Sequence, residues 1–256
     1  MIRLKTESEI DILRENAILV SKTLAEVAKV IAPGVTTKHL DDVAREFIRS
    51  NGAEPGFLNY GGFPFSLCIS VNDIVVHGFP SDYQLKEGDI VSVDCGTIYK
   101  GFYGDSAYTF PVGKIDDESA KLLEVTKKSL YLGAEQAIAG NRIGDIGSAI
   151  QQYVEQFGYS VVREMVGHGV GKNLHESPEV PNYGKAGKGK KLVEGMVICI
   201  EPMINAGKKE IYLGSDGWAV GTVDRKKSAH YEFMVVVRKG HSEILTTYEY
   251  IEELNK

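Results

Sequence analysis

Two periods of apolar residues run through this chain. From residue 7 to 31 the positions Ile10, Leu13, Ala17, Val20, Leu24 and Val27 recur three or four apart, the spacing that gathers side chains into one stripe along an α-helix. The stretch opens on Thr6-x-x-Glu9, a capping box that satisfies the free N–H groups of a first turn. The same period predicts helices over 37–50, 117–139 and 144–157. Runs rich in β-branched and aromatic residues, bounded by Gly or Pro, predict strands at about 66–77, 90–98, 102–112, 160–167, 196–204, 218–223 and 230–238. The Gly/Lys-rich stretch Lys185 to Lys191 reads as a surface loop between strands.

The pattern also repeats. Leu85-Lys86-Glu87-Gly88 leads into an apolar run that ends at Asp94, and Leu192-Val193-Glu194-Gly195 leads into one that ends at Glu201, 107 residues on. Gly34, Leu40, Phe47, Ile48 and Gly52 match Gly140, Ile146, Tyr153, Val154 and Gly158 at an offset of 106. Two offsets so close point to duplication, with halves at about 1–115 and 116–256 forming one catalytic domain. Helices followed by antiparallel strands, twice over, give an α+β fold whose halves share one sheet surface, with the site between them.

Composition narrows the classes. A chain of 256 residues, 43% hydrophobic and 25% charged, can bury a sizeable core, and a net charge of -6 gives no general attraction to nucleic acid or anionic membranes. No apolar run approaches the ~18 residues of a membrane helix, so a cytoplasmic protein is expected. Cys68, Cys95 and Cys199 are odd in number and widely spaced, which argues against a disulfide framework or a zinc knot and leaves them as small buried residues.

The chemistry comes from the acids. Asp94 and Glu201 are placed by the repeat at equivalent strand ends, where a carboxylate after an apolar run needs a partner to stay charged. Asp105 follows Asp94 by one short hairpin, Glu232 interrupts an apolar strand, and His168 in Gly167-His168-Gly169 adds a nitrogen. Four converging carboxylates would repel one another unless cations neutralised them, and two divalent ions balance four negative charges. Oxygen donors with one imidazole suit Mn²⁺, Fe²⁺, Co²⁺ or Zn²⁺, and a pair of such ions sharing a water performs hydrolysis.

With these residues in view, the chain resembles the type I methionine aminopeptidases, two-metal peptidases of the pita-bread fold. The resemblance covers nearly the whole chain. It is most specific from Met165 to Tyr183, and is supported by Asp94 to Asp105 with ten residues between, by Ile200-Glu201-Pro202 and by Tyr231-Glu232. It implies that Asp94 chelates one ion, that Asp105 and Glu232 bridge the two, and that His168 and Glu201 complete the other. Glu201 would also act as general base. His175 would stabilise the carbonyl oxygen as it becomes an oxyanion, and His77 would contact the scissile nitrogen. Tyr60, Phe63, Cys68 and Trp218 would form the methionine pocket, with Phe57 and Leu174 beside them.

The match has departures: Phe57 stands where Cys is frequent, Phe63 for Tyr, Leu174 for Phe, His230 for Gln and Phe233 for His. They bear on the shape of the pocket and on the support of Glu232. The implied reaction is removal of a deformylated N-terminal Met from new proteins, with a small second residue preferred, by a monomer. Lys208, Lys209, Arg225, Lys226 and Lys227 flank the Trp218 hairpin, where similar enzymes dock near the ribosome's peptide exit. Prolidase-like relatives usually carry a further domain ahead of the catalytic one, and only 93 residues precede Asp94 here. Metal-free binding relatives lack ligands that this chain retains.

Overall fold

The stripe on the first helix decides how the layers meet. In the computed structural model, which describes residues 2–255, α1 (Glu7–Ala28) is followed by α2 (Thr37–Ser50) and by strands β1 (Glu54–Pro55), β2 (Leu67–Val71), β3 (Ile74–Val76), β4 (Ile90–Tyr99) and β5 (Phe102–Pro111). The second half holds α3 (Asp117–Ala134) and α4 (Ile143–Glu155), then β6 (Ser160–Val161), β7 (Gly167–Gly169), β8 (Glu176–Val180) and β9 (Val197–Ile200). It continues through β10 (Met203–Asn205), β11 (Ile211–Leu213), β12 (Val220–Thr222), β13 (Ser228–His230), β14 (Phe233–Val237) and β15 (Ser242–Ile244) to α5 (Glu249–Glu252).

All six stripe residues of α1 are fully buried, and the helix lies across β4 and β5. Its buried Asn16 accepts from the Thr97 hydroxyl at 2.6 Å and donates to the Phe102 carbonyl at 2.9 Å, which fixes the helix to the hairpin below. The capping box forms as read, with Glu9 N–H on the Thr6 hydroxyl and Thr6 N–H on the Glu9 carboxylate. On α2, the buried Asp41 carboxylate accepts the N–H groups of Ser66 and Leu67, both at 2.8 Å, and so sets where β2 begins.

Strand pairing is antiparallel in every ladder among the described residues. One sheet joins β4 to β5 on one side and to β1 and β2 on the other; a second runs β15-β14-β9-β7-β8. The halves carry matching turns: Gly34 N–H meets Leu85 O at 2.7 Å and Gly140 N–H meets Leu192 O at 3.0 Å, while Gly88 and Gly195 both hold positive φ (88° and 85°). No helix among the described residues is long and apolar enough to cross a membrane.

Several sequence expectations need correction. The strands divide among four sheets, with β13-β10-β6 and β11-β12-β3 as two smaller ones, and the two larger sheets join without a continuous ladder: Glu232 N–H donates to Ala107 O at 3.0 Å, Ser106 Oγ donates to Glu232 O, and Thr109 Oγ1 links both backbone groups of His230. α1 ends at Ala28 rather than 31, because Val30 and Ile31 tighten into i→i+3 bonds ahead of Pro33. α3 ends at Ala134 rather than 139, because Ala139 N–H leaves the helical path to bond Arg238 O. Apolar spacing continued past both ends and concealed them.

The 66–77 strand divides at Asn72, whose φ is +53°, and the 160–167 strand survives only as its two ends. The 196–204 run breaks at Glu201-Pro202 and the 230–238 run at Tyr231-Glu232. Asp94 is mid-strand in β4, not at a strand end. β1, β8, β11, β15 and α5 had no sequence expectation, and β13 only at His230.

Candidate functional site

Each candidate side chain is placed by a local backbone feature. β4 and β5 pair with Gly96 opposite Asp105 and Asp94 opposite Ala107, so both carboxylates lie on one hairpin close enough to hydrogen bond. β9 and β14 pair up to Ile200 and Phe233, and the ladder stops there. Glu201 and Glu232 are the next residue on each strand, side by side where backbone pairing has ended. Glu232 N–H and C=O are taken by Ala107 and Ser106, and Tyr248 OH reaches both its N and its O at 3.0 Å. Its side chain is therefore held by a fixed backbone.

His168 occupies the middle of β7. A Cβ on Gly167 would stand 2.3 Å from Cys199 O, and one on Gly169 would stand 2.6 Å from Ser177 O, so only glycine lets the three strands approach this closely. His168 Nδ1 pairs with Gly169 O at 3.0 Å, which leaves Nε2 facing Glu201 Oε1 at 3.5 Å and Asp105 Oδ2 at 3.8 Å. His77 has φ +59°, uncommon for a side chain with a Cβ, and its neighbour Gly78 sits where a Cβ would be 2.2 Å from Ile69 O. The left-handed residue follows β3 directly and turns the imidazole into the cavity.

These groups line one cavity of about 370 Å³. Asp94, Asp105, His168, Glu201 and Glu232 meet there with His77 and His175, and Tyr60, Phe63, Cys68, Trp218, Phe57 and Leu174 line the same space. The structure brings together every residue singled out for the site. Phe63 and Trp218 meet edge to face at 5.2 Å, and the Tyr60 hydroxyl stands 2.9 Å from His175 Nδ1 at the exposed mouth.

Electrostatically the floor is unbalanced. Burial, with Glu201 nearby, raises the Asp94 carboxyl to about 7, although His230 opposes the shift, and burial raises Glu201 to about 8. Burial and the neighbouring carboxylates push Asp105 and Glu232 well above the usual range. Burial lowers His168 to about 3 and His77 to about 4, so both are neutral near pH 7. Among the described residues no lysine or arginine pairs with the four acids; their only ion-pair partners are His168 and His230. Asp94 Oδ1, Asp105 Oδ1 and Glu232 Oε1 are buried without a hydrogen-bond partner. Orphaned carboxylate oxygens beside a neutral imidazole fit divalent cations, which would take those lone pairs and lower all four pKa values.

Sequence reasoning missed some neighbours. Cys199, read as plain core, has its sulfur among Asp105, His168 and Glu232. His230 was linked to the support of Glu232, yet its Nε2 faces Glu201 Oε2 at 3.5 Å, and Glu232 is supported by Ala107, Ser106 and Tyr248 instead. Phe233 points away from the cavity into the core against Tyr131 and Tyr248. Phe65 and Phe79 pack on Phe63 at 6.1 and 5.4 Å, and Met165 and Met203 line the cavity. The alternation of Cys199 with Glu201 along one strand was the available signal for the first of these.

Comparison with known proteins agrees with this geometry. The sequence pattern of metallopeptidase family M24 matches residues 11–239. The chain is 51% identical to the methionine aminopeptidase of Clostridium perfringens, covering 96% of this chain and 99% of that one. It is 50% identical to methionine aminopeptidase 1 of Bacillus subtilis, covering 96% and 99%. It superposes on the crystal structure of methionine aminopeptidase from Rickettsia prowazekii with a TM-score of 0.95 at 42% identity, covering 96% of this chain and 100% of the other.

Proposed function

The chain belongs to metallopeptidase family M24 and has its pita-bread fold, and from that premise we propose that it is a type I methionine aminopeptidase. Its reaction is hydrolytic removal of the N-terminal methionine from newly made proteins, with a small second residue and a deformylated amine preferred. One observation carries this reading: four buried carboxylates, three of them with an unpartnered oxygen, share a cavity with an aromatic and sulfur-lined pocket.

Asp94, Asp105, His168, Glu201 and Glu232 would hold two divalent ions, drawn from cobalt, iron, manganese and zinc. Bound there, such ions supply neutralising charge, polarise the scissile carbonyl and acidify a water. The protein's own groups do the rest. Phe57, Phe63, Cys68, Leu174 and Trp218 enclose an unbranched thioether, for which aromatic faces and a sulfur are favourable partners. With Tyr60 donating its hydroxyl proton to His175 Nδ1, the neutral ring keeps its proton on Nε2 and can donate to the carbonyl oxygen as charge develops. His77, also neutral, contacts the scissile nitrogen. Glu201 accepts a proton from the attacking water and returns it to the departing amine.

His175→Ala is expected to lower kcat by about 10²–10³-fold, the loss typical of an oxyanion donor. His77→Ala should lower kcat/KM. Elemental analysis of both variants should find the wild-type metal content, because neither side chain holds the ions. Full activity in both would remove these roles.

The defining experiment offers Met-Gly, Met-Ala, Met-Leu and Xaa-Pro peptides to protein reconstituted with each metal in turn. Methionine should be released when Gly or Ala follows and hardly at all before Leu. Rapid Xaa-Pro cleavage without methionine release would overturn the proposal.

Contact with the ribosome, in the cytoplasm, rests on fewer residues than the sequence offered. Lys227 is tied to Gly88 O at 2.9 Å and Ser119 Oγ at 2.7 Å, and Arg225 pairs with Asp73 while stacking over Tyr212. Lys208, Lys209 and Lys226 remain exposed. Reversing those three charges should weaken ribosome co-sedimentation in a salt-dependent way and spare short peptides; unchanged co-sedimentation would dismiss the contact.

A further inference from the structure

Beneath the four acids lies a donor that the hydrolytic reading does not use. Side chains alternate along a strand, so Val197 and Cys199 share one face of β9, and the Cys199 thiol comes to rest beside Asp105, His168 and Glu232. One ligand atom each from Asp105, His168, Cys199 and Glu232 lies within 4.8 Å of the other three, and all four residues are buried. Asp105 and Glu232 each also keep a buried oxygen with no hydrogen-bond partner. Sulfur, nitrogen and two oxygens at this spacing are a donor set of mixed softness, unlike the oxygen-dominated set formed with Asp94 and Glu201.

We propose that Cys199 gives the centre a second coordination mode, Asp105–His168–Cys199–Glu232, that captures a thiophilic divalent cation such as Cd²⁺. With a hard ion such as Mn²⁺ the thiol keeps its proton and takes no part in coordination. With a thiophilic ion the metal replaces the thiol proton: a sulfur–metal bond forms, the S–H bond breaks, and the thiol's proton leaves to solvent, with no change of oxidation state. The choice of mode rests on the softness of the ion. This inference depends on the metal-centre reading above.

The test loads the full chain separately with Mn²⁺, Co²⁺ and Cd²⁺ and counts bound ions by elemental analysis. The Co²⁺ form should show sulfur-to-cobalt charge-transfer absorption, and the ¹¹³Cd resonance of the wild-type Cd²⁺ form should lie at the downfield position of a sulfur-ligated ion. Cys199→Ser and Cys199→Ala should lose both signatures, keep Mn²⁺ uptake, and bind Cd²⁺ about tenfold or more weakly. Cys68→Ala should keep both signatures. Bound Co²⁺ and Cd²⁺ without sulfur signatures in the wild type would overturn the second mode and leave the carboxylate centre standing. Signatures that survive in the Cys199 variants and vanish in Cys68→Ala would overturn it too. Failure of the wild type to take up any of the three ions would overturn the metal-centre reading itself. The ¹¹³Cd measurement needs no variant, so poor folding of a substituted chain leaves the question answerable.

Discussion

Asp105→Asn is expected to abolish turnover while making the metal-free protein more stable. Asp105 lies in the middle of β5, 3% exposed, with its carboxylate between Asp94 and His168 and its N–H on the Met234 sulfur at 3.2 Å. The amide keeps the size of the side chain, so the hairpin should form as before. It carries no charge, however, and one of its two donor atoms becomes an NH₂. Losing several kcal/mol of charge stabilisation lowers kcat by about a thousandfold or more, at about 1.36 kcal/mol per decade. Without metal the sign reverses, because one of four mutually repelling buried acids has gone. Activity assays, elemental analysis and melting in a chelator report the three consequences. Wild-type turnover in this variant would leave no metal-centred reading of the site.

Chelation should make stability fall as pH rises. Burial lifts Glu201 from 4.5 to about 8 and Asp94 from 3.8 to about 7, while it lowers His168 to about 3 and His77 to about 4; above about pH 6.5, where an unfolded histidine has also lost its proton, the acids set the slope and the folded metal-free chain binds more protons than the unfolded one. The acids' contribution to stability is greatest below their unfolded values and is lost as pH climbs through the folded ones. A tenfold difference in proton affinity between the two states is worth about 1.36 kcal/mol, so these interacting acids together represent several kcal/mol between about pH 5 and 8. Divalent ions compete with those protons, so stabilisation by Mn²⁺ should grow over the same range. Melting curves at pH 5, 6.5 and 8, with chelator and with Mn²⁺, measure both slopes. Metal-free stability that is flat or rising from pH 6.5 to 8 would show that the acids are not held in the crowded arrangement described.

Helix α1 and the acids differ in why they could be read from sequence. Ile10 to Val27 pack against strands along the whole helix, so their period survives into structure unaltered, and all six are buried. Glu201 and Glu232 were visible because a charge inside an apolar run is anomalous. Their position just past a ladder's end was not visible, since it depends on where two strands stop pairing. Asp94 was misplaced for another reason: the strand itself was read to about residue 98, but the repeat matched Asp94 to Glu201, where pairing does stop, and so assigned both to strand ends. The neighbours of Cys199 and His230 went unread because one-dimensional spacing says what shares a strand face but not what lies across it. Phe65 and Phe79 back the pocket-lining Phe63 from the loops around β2 and β3, which no period records.

Gly78, Gly167 and Gly169 have a consequence for anyone who maps tolerance to mutation across this chain. Each would force a methyl group into a backbone carbonyl 2.2–2.6 Å away, and carbonyls of paired strands have nowhere to retreat. In a saturation library even alanine should be rejected at all three, as firmly as any change at the neighbouring histidines. Such a profile would mix two kinds of intolerance, one steric and one chemical. Added cobalt or manganese could rescue only a weakened ligand, never a blocked glycine.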